Sequence, residues 1–360
     1  MLSLLKNNKN LLVLSFFSAY FIIGILIFDD FGISIDEDNT RINGLVALKY
    51  LFELLSLDQT NLFNSIPSIK DWKEKGIGYI FDLPTAYIEY LFKIEDTRQY
   101  FLMRHLINFS FFYIASIYFY FLIKNRYKSI FFALLGTLFL ILSPRIFAES
   151  FYNNKDLIFL SLFIVSTFYS INFIENPSSK SAILFALFSS LSIGIRVIGI
   201  VLPLIIFIIY IINILRNENN KSYLIKNLFI FFIFLILFTI IFYPFLWDDP
   251  IRNFLQIFSI LSNFDIGIFN FYLGNYISAE SLPWHYSLVW LFVTTPIFYL
   301  FLFFIGITFI LTRFFSRLIK IDHNNSYKDL WRGNKELQDL LHLFIFFIPI
   351  FSIIILHSTL

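Results

Sequence analysis

The sequence has no cysteine, which excludes disulfides, thiolate metal sites and a thiol nucleophile. Charge is also scarce. Asp, Glu, Lys and Arg make up 14% of the 360 residues, against about 25% in a soluble domain. The net charge of +2 is too small to point to nucleic acid as a partner. No internal repeat or low-complexity linker divides the chain. What fills it instead is apolar: 58% hydrophobic residues, 51 of them Phe, and a mean hydropathy of +0.75. The abundance of Phe, Ile, Asn, Lys and Tyr matches an AT-rich coding bias better than an aromatic binding surface.

Apolar runs near the roughly 20 residues needed to cross a bilayer recur from end to end. They lie at about 11–28, 102–123, 129–142, 157–174, 181–195, 197–215, 226–246, 286–312 and 340–357. The expectation is an all-α polytopic membrane protein of about nine spans, forming one domain over 1–360. Residues 11–28 have no small-residue cleavage site after them and read as a retained first span. The stretch 181–215 is too long for one crossing and holds Arg196 in its middle. An arginine at mid-bilayer costs about 2.5–3.5 kcal/mol on insertion scales, so a hairpin with Arg196 at its tip is preferred. With the N-terminus inside, the cytoplasmic pieces then carry 15 Lys and Arg against 6 Asp and Glu, and the opposite side 12 against 19. The positive-inside rule favours that orientation, with external loops at 29–101, 143–156 and 247–285 and a cytoplasmic loop at 313–339.

Helical spacing of Ile42, Leu45, Leu48, Phe52 and Leu55 after Asp38-Asn39-Thr40 predicts a helix in the first external loop, lying on the membrane surface. A second helix start is read at Asp82-Leu83-Pro84. Before the first helix stands Ile35-Asp36-Glu37-Asp38; Asp36 there is either a helix cap or a proton acceptor. The loop ending in Asn154-Lys155-Asp156 places two charges against the next span, where a charge needs a partner or a watery cavity. Arg104, Arg145, Arg196 and Arg252 add cations. Trp247, Asp248, Trp284 and His285 sit at interface positions, where Trp is also ordinary belt material. His285 has no spaced partner, and no metal site is expected. Carboxylates serve an attacking hydroxyl or amine as proton acceptors, and fixed cations stabilise a departing phosphate.

This pattern resembles the GT-C glycosyltransferases, in particular the protein O-mannosyltransferase and lipid A aminoarabinose transferase branch. The likeness is carried by Ser34-Ile35-Asp36-Glu37 after the first span, by Asn154-Lys155-Asp156, and by the runs Ser143-Pro144-Arg145, Tyr243-Pro244-Phe245-Leu246-Trp247 and Leu282-Pro283-Trp284-His285-Tyr286. The resemblance implies an inverting enzyme that moves a sugar from a polyprenyl-phosphate lipid to an acceptor (lipid, glycan or protein) outside the cytoplasmic membrane of a bacterium. It implies Asp36, Glu37 and Asp156 as catalytic residues and Arg145, Lys155 and Arg196 as holders of the donor phosphate. Arg104, Trp247, Asp248, Arg252, Trp284 and His285 would line the substrate. It implies no obligatory cofactor, with a divalent cation left open. Relatives generally have more spans, so the chain is expected to lack a C-terminal part. A lipid-linked sugar flippase and an oligosaccharide polymerase are the alternatives.

Overall fold

The computed structural model describes residues 2–57, 63–216, 220–262, 269–278, 281–319, 343–345 and 347. The chain is an all-α polytopic membrane protein. Its helices are α1 (Leu2–Ile27), α2 (Glu37–Leu54), α3 (Asp82–Phe92), α4 (Thr97–Tyr127), α5 (Ile130–Ile141), α6 (Pro144–Tyr152), α7 (Asp156–Glu175), α8 (Ser179–Ile193), α9 (Val201–Arg216), α10 (Lys221–Ile241), α11 (Pro250–Ser262), α12 (Tyr286–Thr294) and α13 (Ile297–Ile319). One short hairpin joins β1 (Phe269–Tyr272) to β2 (Asn275–Ser278). The fold divides into two compact units, Met1–Pro203 with Ile214–Leu261, and Leu204–Asn213 with Ser262–Leu360.

Among the described residues five helices are long and apolar enough to cross a membrane, and up to seven if each bent pair counts as one span. The run read at 129–142 holds only the first member of such a pair, α5; α6, within the stretch read as the loop 143–156, meets it at 67°, with Pro144 opening that second helix. The run read as one span at 286–312 is broken between α12 and α13 by 114°. Pro296 stands at that break, and a proline disfavours helix for the residue before it; Thr295 is extended there. The run at 340–357 lies almost wholly outside the described residues.

Helix ends follow local chemistry. Asp96 caps α4 by accepting from the backbone N–H groups of Arg98 and Gln99, and Ser178 forms a capping box with Ser181 ahead of α8. In the first unit α8 packs between α7 and α10. Small residues let the backbones approach, as bilayer helices require: Ser181, Ala182, Ala186, Ser189 and Ser190 are all buried. Ser166 and Ser189 share a hydrogen bond of 2.9 Å. Phe185 stacks on Phe231 at 4.7 Å between centroids. On α1, Phe17 and Tyr20 are buried against Tyr120 and Phe109 of α4, while Leu11, Leu14, Ile22 and Leu26 stay exposed, a face that suits lipid.

The helix expected in the first loop is α2. It starts at Glu37, one residue ahead of the expected cap, and buries Leu45, Leu48 and Phe52 while Leu55 is exposed. In the second unit the β1–β2 turn is made by Leu273 and Gly274, both at positive φ, the backbone twist that two-residue hairpins favour.

Candidate active site

The start of α2 is held by buried polar chemistry. Glu37 is 1% exposed; one oxygen pairs with Nε2 of His105 at 2.9 Å and the other accepts from the Ser34 backbone N–H at 2.7 Å. One turn on, the buried Thr40 hydroxyl oxygen accepts from Arg104 at 3.1 Å and from the Asn154 amide at 2.7 Å. Arg104 also donates to Asp82 at 2.7 Å and to Thr85 at 2.8 Å. Asn43 donates to the second oxygen of Asp82 at 3.0 Å. Burial pushes the Asp82 carboxyl above its ordinary range, against the pull of Arg104 and the hydrogen bonds from Asn43 and Arg104. This network is buried and fixes the backbone at the start of α2.

Asp36 is different. It is exposed and occupies the N-cap position of α2, yet its side chain makes no capping hydrogen bond. Among the described residues its carboxylate has no ion pair either.

The Asn154–Thr40 bond joins the start of α2 to the α6–α7 junction, where the other charged residues gather. There Arg145 donates to Glu149 at 2.7 Å. Asn153 donates to the second oxygen of Glu149 at 3.2 Å and to Asp156 at 3.3 Å. Asp156 pairs with Arg196 at 2.5 Å. Lys155 lies 3.7 Å from Glu74. One polar chain thus connects Arg145, Asp156 and Arg196, with Lys155 adjacent. Arg196 reaches this place because Gly78 and Gly194 let two backbones touch: a Cβ on Gly78 would stand 1.4 Å from the Gly194 carbonyl oxygen. The short α8 therefore returns the chain to the end where α7 began, as the hairpin reading requires. The Arg196–Asp156 pair is 44% and 53% exposed. Such a pair contributes only about 0–1 kcal/mol to stability, so its charges are held open to a ligand at little structural cost.

Other expected site residues have different surroundings. Arg104 is fully buried in the anchoring network and lines no open surface. Trp247 donates to the Ile240 carbonyl at 2.8 Å and lies 6.0 Å from the Tyr50 ring. Asp248 pairs with Lys70 at 2.7 Å and accepts from Tyr50 at 3.1 Å; these partners hold its carboxyl below the usual range. Arg252 is exposed nearby. Trp284 and His285 belong to the second unit, where His285 Nδ1 shares a 2.6 Å hydrogen bond with Tyr272. Among the described residues no three His, Asp or Glu side chains converge as a metal site would need. The sequence singled out neither His105, Glu74 nor Asn153, and Asn154 entered only within the Asn154-Lys155-Asp156 run. For His105 a signal existed: it follows Arg104 in a span, and Asn108 stands one turn beyond, in a segment where polar groups are costly.

Neither a curated protein nor a solved structure matches the chain. Residues 78–248 match the family model described as dolichyl-phosphate-mannose-protein mannosyltransferase. That segment holds Arg145, Lys155, Asp156 and Arg196 and begins after Asp36 and Glu37. The likeness to GT-C glycosyltransferases drawn from short motifs therefore extends over the region that builds most of this site, and that region is similar to a family of membrane glycosyltransferases.

Proposed function

We propose that the protein is a membrane glycosyltransferase that moves a sugar from a polyprenyl-phosphate lipid to an acceptor hydroxyl or amine. The observation that carries the reading is the contrast between two neighbours: Glu37 is locked in a buried pair, while Asp36 is exposed and, among the described residues, has neither a capping bond nor an ion pair, one turn before the Thr40 that Asn154 of the α6–α7 junction clasps. The family match over 78–248 supports it.

In the proposed reaction Asp36 accepts the proton of the acceptor group as that group's oxygen or nitrogen bonds to the anomeric carbon. The bond from that carbon to the phosphate oxygen breaks, and the electron pair leaves with the polyprenyl phosphate. Arg196, joined through the polar chain to Arg145, and the adjacent Lys155 stabilise the charge that develops there. A single displacement inverts the sugar carbon. Asp156, fixed by Arg196 and Asn153, orients the acceptor, and Glu37 with His105 positions Asp36. No step is assigned to a metal. The charge bias of the loops supports a reading in which this end faces away from the cytoplasm, and the membrane we propose is the inner membrane of a bacterium. We treat the whole chain as one catalytic domain.

The test is transfer of labelled mannose from a polyprenyl-phosphate donor in membranes containing the full chain or its Asp36→Asn variant. Expected is transfer by the parent and its loss in the variant at equal expression. Equal activity in both would remove Asp36 as the base, and no transfer of any sugar by the parent would favour a flippase.

A further inference from the structure

A cavity of about 310 Å³ lies at the far end of α2 from Asp36, between the first external loop and the start of α11. Tyr50 contributes to it, 14 residues along from Asp36, which at 1.5 Å per helical residue is about 20 Å. Its volume falls at the lower end of the roughly 300–1,000 Å³ of small-molecule sites; a lipid chain would find its lining too charged. The walls are part aromatic, from Tyr50 and Phe245, and part cationic, from Lys70, Lys75 and Arg252.

The charges do not cancel. Lys70 neutralises Asp248. Asp249 accepts from the Arg252 backbone N–H at 3.1 Å and so serves the helix terminus. Lys75 is half-buried, donates to the Lys70 carbonyl and lies 5.8 Å above the Phe245 ring. Among the described residues neither Lys75 nor the Arg252 guanidinium has a carboxylate partner. With Lys70 set against Asp248, Lys75 and Arg252 face the single carboxylate of Asp249, so the lining keeps one net positive charge and favours an anion. The neighbouring rings and the Asn253 and Gln256 side chains suit the faces and hydroxyls of a sugar.

We propose that this cavity is a binding site for an acidic sugar unit, carrying a phosphate or a carboxylate, with Lys75 and Arg252 holding the anionic group. That the unit belongs to the glycosyl acceptor rests on the transferase reading above. On that reading it anchors a glycan acceptor about 20 Å from the reacting hydroxyl, so the acceptor is several sugar units long.

The experiment is calorimetric titration of the purified full chain with glucose 6-phosphate, glucuronate, glucose and inorganic phosphate. The acidic sugars are expected to bind and glucose is not. Arg252→Ala and Lys75→Gln are each expected to weaken acidic-sugar binding about tenfold or more, the effect of losing a charge-assisted hydrogen bond. Because the Arg252 side chain is exposed and has no partner among the described residues, its variant tests binding without disturbing the fold. Equal binding of glucose, phosphate binding as tight as the sugar phosphate, or unchanged affinity in both variants overturns the proposal. So does absence of binding by either acidic sugar. Asp36→Asn is expected to bind these probes as the parent does; loss of transfer with binding intact separates the two readings.

Discussion

Asp36 and Glu37 are consecutive and chemically alike, yet burial gives them different work. Glu37 has both oxygens bound and 1% exposure, whereas Asp36 is open. As a cap, Asp36 would tolerate Asn; as a base it would not. Asp36→Asn is therefore expected to lower transfer by roughly 10²–10⁴-fold, with thermal stability within about 0.5 kcal/mol of the parent. Arg104 behaves oppositely. Removing it leaves Asp82 buried without its cation, a loss of about 3–5 kcal/mol, so Arg104→Leu is expected to unfold at lower temperature. The sign of its pH dependence follows from Asp82. With a folded pKa above the unfolded one, the folded state holds the extra proton between the two, so stability falls as pH rises through that window. Without Arg104 the folded value rises further, and the deficit of the variant should shrink as pH falls toward the ordinary carboxylate range. A deficit that grows on acidification would show that Asp82 is not the group left unpaired.

Elements reach the site through one close backbone contact and one side-chain hydrogen bond. The loop before α3 touches the tip between α8 and α9 at Gly78 and Gly194, with no room for a Cβ on Gly78. Gly78→Ala is expected to force this contact apart and lower both thermal stability and transfer. Gly32→Ala, where nothing lies within 4 Å, is expected to change neither. The Asn154–Thr40 bond does the same between the α6–α7 junction and α2. Asn154→Ala leaves Thr40 and Arg104 in place but unclasps the junction. Its expected effect is a drop in transfer of the same sense as Lys155→Ala and Arg196→Ala, read as weaker use of the donor lipid.

For the whole molecule, the connections that carry the site residues gather at one end of the first unit: Asn154 to Thr40, Arg196 to Asp156, and Tyr50 to Asp248. At the opposite end, Tyr223 donates to the Pro177 carbonyl. Alternation of helices thus separates this charged end from the loops at 124–128 and 175–180. Truncations fused to a reporter after residues 126 and 178 are expected to read cytoplasmic, and those after 150 and 248 external. A fusion after 325 reading external would mean that the helices following 248 cross a different number of times than the charge bias requires.

Much of this was settled locally. Membrane class, the helix starts at Asp82 and near residue 37, and the break at Arg196 follow from hydropathy, caps and the cost of a charge in lipid. Each of these acts over a few residues or one helix. The number of spans was less legible, because a proline or a short helix changes how an apolar run crosses without changing its hydropathy. What only tertiary structure decided was the fate of individual charges. Arg104 reads from the chain as a substrate contact, but Asp82, Thr40 and Thr85 bury it. Glu37 reads as a partner in catalysis, but His105, 68 residues away, claims it. Whether a carboxylate is free or bound depends on which distant loops meet it, and periodicity along the sequence carries no information about that meeting.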